Sequence, residues 1–404
     1  LHASEVYESA VSNEAIGISC DNVSVDWTKV QGFRASVVEK LTSGVKGLIK
    51  LNKIKLVSGE AVFTGPKTVS VGNDSYTAEK IIIAAGSRPI IPNIPGLKDS
   101  KATIDSTACL ELDHIPESLV VIGGGVIGME FASFYNSIGT NVTVVEMLPK
   151  ILGPLDNEIS AMLQGIYAKR GINFCIKCKV TGIEGNTVVY EDPEGKTVKV
   201  SGDKILVSVG RRANFQGIGL ENIGVELALN PAGRPYGIKV DEHMRTNVPG
   251  VYAAGDVTGF SMLAHTASRE GEVAVNNILG KKDVMRYNAI PGVVYTNPEV
   301  AGVGVTEEEA LKKGLDYGVV KLPMAYAGRF IAENEGGEGI CKIIYGKKYH
   351  EVLGVHMLGN PCSEMIHSAC IAIEQEMTFE QLKEVVFPHP TVSEILKETI
   401  FSLK

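Results

Sequence analysis

The stretch Val120-Val121-Ile122-Gly123-Gly124-Gly125-Val126-Ile127-Gly128-Met129-Glu130 decides how the rest of the chain is read. An apolar run ends in Gly123, Gly125 and Gly128, a G-x-G-x-x-G turn, and a helical pattern follows. Glycines there allow a tight turn, a close approach of backbone to a pyrophosphate, and close packing of helix on strand. The free N–H groups of the helix N-terminus then face the phosphates. A second apolar strand, Asn141–Val145, ends at Glu146, twenty-three residues past Gly123. That is near the ~20-residue offset of the acid that holds ribose hydroxyls. Together the motifs predict a dinucleotide site formed by Gly123, Gly124, Gly125, Val126, Ile127, Gly128, Met129, Glu130 and Glu146. The alternative for Glu146 is a solvated acid beside an ordinary glycine turn. A carboxylate repels a 2′-phosphate, and after Glu146 only Lys150 is cationic before Lys169 and Arg170, so NAD is favoured over NADP.

Outward from this unit the chain keeps alternating. Toward the N-terminus, residues 1–50 read as helical, with Val30, Phe33, Val37, Val38, Leu41, Val45, Leu48 and Ile49 on one face to be buried. Short β runs follow at Lys55–Val57, Ala61–Phe63, Thr68–Val71 and Lys80–Ile83, and then a Pro-rich linker, Pro89–Pro95. Beyond Glu146 the pattern gives a helix (Glu158–Arg170) and strands at Phe174–Val180, Thr187–Glu191 and Ile205–Val209. The strand Val251–Asp256 ends at an acid, and Ser268–Leu279 reads as a helix behind it. From about Pro291 strands and helices alternate as in a separate α+β domain.

Composition narrows the function. A net charge of −8 and the short basic pairs Lys281-Lys282 and Lys347-Lys348 offer no nucleic-acid footprint. No apolar run reaches the ~18 residues of a membrane span; Ser118–Phe134 contains four glycines and Glu130. Seven cysteines at irregular spacings are no secreted disulfide framework, which predicts a soluble cytoplasmic protein. Cys175-x-x-Cys178 is half a zinc pattern, and within one strand its side chains would point to opposite faces. Glu364-x-x-His367 has helical ligand spacing but no partner motif, so no metal site is expected.

Near the C-terminus, Phe387-Pro388-His389-Pro390-Thr391-Val392-Ser393-Glu394 offers a base and an acid. A histidine titrates near neutral pH and suits proton transfer, with an acid to fix its tautomer. Locally, Thr391-x-x-Glu394 reads more readily as a capping box for the final helix, and His389 between two prolines as a rigid loop residue. Asp256 likewise reads as a turn cap.

Ala84-Ala85-Gly86, Gly123–Gly128, Val251–Asp256, Met262–His265 and His389–Glu394 occur in this order across the whole chain. In this the sequence resembles the dihydrolipoamide dehydrogenases of the class I pyridine nucleotide-disulfide oxidoreductases, and more loosely glutathione and mercuric reductases. The resemblance implies an α/β fold with two Rossmann-like nucleotide-binding domains and a C-terminal α+β dimerisation domain. An incomplete FAD domain would take residues 1–116 and 252–288, the NAD domain 117–251, and the dimerisation domain 289–404. It implies FAD contacts at Ala61, Ala85, Gly86, Ser87, Asp256, Met262, Leu263, Ala264 and His265, and NAD contacts at Val180 and Gly210. His389 and Glu394 become a catalytic base and its orienting acid in a homodimer. The partner implied is the lipoyl domain of a 2-oxo acid dehydrogenase or glycine-cleavage complex.

The sequence departs from the family in two places. No two cysteines stand five apart, as the redox pair requires, and there is one complete G-x-G-x-x-G where the family has a second for FAD. The expectation is therefore an N-terminally truncated chain, inactive and poorly flavinated alone. The competing readings are an NADPH-dependent disulfide or metal-ion reductase, a transhydrogenase, or a non-catalytic fragment that binds NAD and dimerises.

Overall fold

Five short apolar strands, all parallel, make the sheet that carries the glycine turn. Their order is Thr103–Asp105, Lys204–Val207, Ser118–Ile122, Asn141–Glu146 and Asn173–Ile176. Strands buried on both faces read as continuous β-branched runs, and this sheet does. Leu119 and Val121 face the helices Val126–Ser137 and Asn157–Lys169. Val120 and Ile122 face the opposite way, toward the antiparallel strands Lys179–Glu184, Thr187–Glu191 and Thr197–Ser201. Strand order reverses at Ser118–Ile122, so the switch point lies between its C-terminal end and that of Lys204–Val207. Ligands of open α/β sheets bind at such a point.

The computed structural model describes residues 1–12, 14–334 and 336–403. Its first unit comprises residues 1–30, 91–210 and 288–404, and its second residues 31–90 and 211–287. Within the first, a five-stranded antiparallel sheet runs Gly292–Val294, Val300–Gly304, Val352–Leu358, Ile340–Gly346 and Tyr317–Pro323. Helices Cys362–Glu374 and Glu394–Phe401 lie on it through Met365, Ile366, Ile373, Ile395 and Leu396. Lys342 ties this layer to the helix Asn157–Lys169 of the parallel-sheet half. Only 2% exposed, its ammonium meets Glu307 at 2.6 Å, Asp156 at 3.0 Å and Glu158 at 3.3 Å. Burial pulls the Lys342 pKa down, but the hydrogen bonds it donates to Glu307 and Asp156 outweigh that and hold the amine above its ordinary range. Asp156 also caps Asn157–Lys169 by accepting from the Glu158 and Ile159 N–H groups.

The second unit holds the antiparallel meander Ala61–Gly65, Thr68–Val71, Asp74–Thr77 and the parallel pair Ile81–Ile83 with Val251–Ala253. Phe63, Ile83, Phe215, Leu220, Val251 and Val257 form its core. Helix Ala264–Ile278 is fixed to the following loop by Arg269, whose guanidinium grips Asp283 at 2.5 and 2.9 Å.

Several expectations change. Residues 1–50 are two helices, His2–Val11 and Trp27–Leu51, with a 3-10 turn at Glu14–Ile16 between them. The apolar face of Trp27–Leu51 is not buried: Phe33, Leu41 and Leu48 are 60, 66 and 60% exposed. Spacing sets which residues share a face, but only a covering element buries it, and among the described residues none does so. Lys55–Val57 is not a strand. Phe174–Val180 is two strands broken at Lys177, whose φ of 59° no strand tolerates. Val251–Asp256 stops at Ala253 and turns into a 3-10 segment, Gly255–Thr258.

Asp283 accepts from Arg269, Asn276 and the Val284 N–H, and these bonds hold its carboxyl down at about 2. A depressed folded pKa stabilises the fold above the ordinary carboxylate pKa of ~3.9 and is lost as pH falls through the folded value. Acid unfolding between pH ~4 and 2 is therefore expected to lose part of its pH dependence in Asp283→Asn, followed by circular dichroism.

Candidate active site

At the switch point the glycines have distinct tasks. Gly123 sits at φ 103°, and an added Cβ would lie 2.7 Å from the Ser208 carbonyl oxygen. Gly128 is inside the helix, and a Cβ there would fall 2.1 Å from the Gly123 carbonyl oxygen and 2.6 Å from Ser208 Oγ. The helix therefore lies against the strand at a distance only glycine permits. Gly125 is the N-cap of Val126–Ser137, with no side chain to cap it and open space around its Cα. These uncapped N–H groups facing open space fit a diphosphate.

Glu146 ends the neighbouring strand, 8% exposed. Its Oε2 accepts from the Gly124 N–H at 2.6 Å and its Oε1 from the Leu148 N–H at 2.7 Å. Each oxygen keeps a second lone pair, which suits ribose hydroxyls. The cations nearest in sequence are turned to other work. Lys150 donates to the Leu155 carbonyl, Lys169 to the Glu338 carboxylate, and Arg170 to the Asn297 carbonyl at 2.6 Å. Gly210, at φ 111°, follows the strand Lys204–Val207 on the other side of the turn. Val180 lies in the adjoining antiparallel sheet, paired with Tyr190. Val126, Ile127 and Met129 occupy the first helical turn, with Met129 fully buried. Glu130 accepts from the Tyr295 N–H at 3.0 Å, and burial lifts its pKa.

In the second unit, Asp256 stands just past Val251–Ala253 and accepts from the Ser87 hydroxyl at 2.5 Å. Ala85 and Gly86 offer their carbonyls to Asn214. Met262, Leu263, Ala264 and His265 lead into helix Ala264–Ile278, whose N-cap Leu263 makes no side-chain cap. An uncapped terminus of a fifteen-residue helix fits an electron-rich ring through its dipole. Ala61 is at the start of the meander strand Ala61–Gly65, on a different sheet from the Asp256 edge.

Three supporting residues escaped the sequence reading. Arg211 donates to Ser87 Oγ at 2.7 Å and to the Ser87 carbonyl at 2.8 Å. Ser208 Oγ donates to the Gly123 carbonyl at 2.9 Å. Glu270, fully buried, accepts from the Gly255 N–H at 2.6 Å and the Tyr287 hydroxyl at 2.7 Å. Burial raises the Glu270 pKa. Its signal was present: an acid at the buried 266, 270, 273, 274 spacing of its helix.

His389 is 80% exposed, and its Nδ1 lies 2.9 and 3.0 Å from the two oxygens of Glu394, which is 12% exposed. Glu394 also accepts from the Thr391 N–H at 3.0 Å. That backbone bond first, then the imidazole, holds the Glu394 carboxyl below its ordinary range. The capping-box reading is thus half right. The carboxylate reaches back to Thr391, but the N-cap is Ser393, and the Thr391 hydroxyl donates to the Pro388 carbonyl. Glu364 and His367 are exposed on the outer face of Cys362–Glu374.

Two alanine substitutions separate packing from binding. Gly128→Ala is expected to cost about 1–3 kcal/mol in urea unfolding, because backbone and Ser208 must shift. Gly125→Ala is expected to leave unfolding unchanged yet weaken NADH in a fluorescence titration, since its methyl enters the space for the diphosphate. Unaltered NADH affinity in Gly125→Ala would remove that turn from the binding site.

Residues 1–271 match the family described as pyridine nucleotide-disulphide oxidoreductase, and residues 290–400 match its dimerisation domain. The chain is 40% identical to the dihydrolipoyl dehydrogenase of Geobacillus stearothermophilus, over 98% of this chain and 84% of the relative. Against the Bacillus subtilis dihydrolipoyl dehydrogenase it is 39% identical, over 98% and 85%. Among solved structures, the HOCl-induced flavoprotein disulfide reductase RclA from Escherichia coli, as its Cu(II) complex, superposes with a TM-score of 0.86 at 26% identity, covering 100% of this chain and 88% of that one. The glycine turn with its acid and the matches along nearly the whole chain lead to one conclusion: the protein belongs to the pyridine nucleotide-disulphide oxidoreductases.

Proposed function

We propose that this chain serves as a dihydrolipoyl dehydrogenase, which oxidises protein-bound dihydrolipoamide and passes two electrons to NAD⁺. The observation that carries the reading is the exposed His389 imidazole, held at Nδ1 by the largely buried Glu394. A carboxylate at Nδ1 keeps the proton on that nitrogen and leaves the Nε2 lone pair for an arriving thiol. Nε2 takes the thiol proton, making the thiolate that disulfide exchange requires, and the charge on Glu394 stabilises the imidazolium. Two-electron redox chemistry would be supplied by bound FAD, with NAD⁺ as the acceptor. Asp256, Ser87, Arg211 and the helix start at Ala264 would hold the flavin, and Gly123–Gly128 with Glu146 the nicotinamide nucleotide.

The sequence similarity to dihydrolipoyl dehydrogenases supports the substrate, and the dimerisation-domain match supports a homodimer. The partner is the lipoyl domain of a 2-oxo acid dehydrogenase or glycine-cleavage complex. Seven free thiols support a cytoplasmic setting. Among the described residues no helix is long and apolar enough to cross a membrane. We keep the division into a FAD domain (residues 1–116 and 252–288), an NAD domain (117–251) and a dimerisation domain (289–404). No two of the seven cysteines stand five apart, so the redox pair this reaction needs is not supplied by these 404 residues.

In an enzyme carrying that pair, His389→Gln is expected to lower dihydrolipoamide turnover by ~10²–10⁴-fold while leaving NADH binding intact. Stopped-flow reduction by dihydrolipoamide measures it, and an unchanged rate would remove His389 from the chemistry.

A further inference from the structure

Cys175 and Cys178 stand beside Glu146 with no part in the chemistry above. Strand alternation alone would send them to opposite faces. The strand, however, ends at Ile176, and Lys177 at φ 59° breaks the alternation. Phe174 and Ile176 pack on the helix side of the sheet, whereas Cys175 and Cys178 both join the core on the other side. There the Tyr190 hydroxyl lies 3.2 Å from the Cys175 sulfur. The remaining thiols are poor candidates for exchange. Burial raises the Cys178 pKa as well, and it pushes Cys109 and Cys341 up to about 12, Cys370 to about 11 and Cys362 well above its ordinary value; none of those last four has a second thiol beside it in the chain, and Cys20 is on the surface.

We propose that Cys175 and Cys178 form a dithiol that closes to a disulfide, an oxidative modification site coupled to nicotinamide-nucleotide binding; the coupling rests on the NAD reading of Glu146. The oxidant is a small-molecule disulfide. The half-buried Cys175, as thiolate, attacks one of its sulfurs and expels one small thiol. The Cys178 thiolate then attacks the Cys175 sulfur and expels the second. Two electrons and two protons leave the protein, and the oxidant departs as two thiols. Coupling follows from the backbone. The Cys178 N–H donates to the Glu146 carbonyl at 2.9 Å and the Lys177 N–H to the Leu148 carbonyl at 3.1 Å. The Leu148 N–H in turn holds the Glu146 carboxylate at 2.7 Å. Drawing the two sulfurs together moves the residues that set this acid.

The test treats the purified enzyme with oxidised glutathione, alkylates it, digests it and weighs the peptide carrying both cysteines, with NADH titrated before and after. The expected result is loss of two hydrogens from that peptide and about tenfold weaker NADH binding, the equivalent of one hydrogen bond. Dithiothreitol should reverse both, and Cys175→Ser should show neither. Two alkylated cysteines after oxidation, or an affinity loss that persists in Cys175→Ser, would overturn the proposal. The peptide mass reads the disulfide independently of the nucleotide. Failure of the reduced enzyme to bind NADH would instead overturn the NAD reading and, with it, the coupling.

Discussion

The nicotinamide half depends on how closely one helix approaches one strand. Gly128 lies where any side chain would overlap the Gly123 carbonyl, so helix Val126–Ser137 starts directly above the end of Ser118–Ile122. That contact aims the uncapped N–H groups of the helix at the switch point of the sheet. Glu146 completes the arrangement by taking the Gly124 and Leu148 N–H groups, which sets the loops on either side of its carboxylate. Ser208, just past the strand Lys204–Val207, fastens that strand to the same turn through the Gly123 carbonyl. A binding site of this kind is mostly backbone, and the sequence controls it chiefly by leaving side chains out.

The C-terminal site follows the opposite rule and is built from side chains. Glu394 does two things with one carboxylate: it ties the Thr391 backbone, and it orients His389. A structural bond at one oxygen costs the site nothing, because it fixes the acid in the place where the imidazole needs it. Deeper in the same unit, Lys342 and its three carboxylates join the C-terminal sheet to the helix Asn157–Lys169. Such a cluster is specific as well as cohesive, since removing the lysine would leave the buried Asp156 carboxylate without its cation, at about 3–5 kcal/mol.

Much of this was legible in the amino-acid order. The parallel strands announced themselves as β-branched runs, and Gly123, Gly128 and Glu146 fell at spacings with a physical meaning. What failed was whatever depends on distant partners. The stripe on Trp27–Leu51 is correctly helical, yet exposed, because periodicity cannot say what covers it. Arg211 and Ser208 act through residues about 85 to 124 positions away, which no local pattern reveals. Lys177 shows a subtler limit: one residue in the left-handed region puts Cys178 on the face that alternation denied it. Nothing local marks Asp256 as more than a turn residue bonded to Ser87; a flavin role for it is implied by the family resemblance alone.

In the proposed reading, Glu146 selects the unphosphorylated nucleotide. Calorimetric titration with NADH and NADPH under one condition reads that selection. NADH is expected to bind at least tenfold tighter, because a 2′-phosphate would meet a carboxylate already bonded to two N–H groups. Equal affinities, or tighter NADPH, would contradict it.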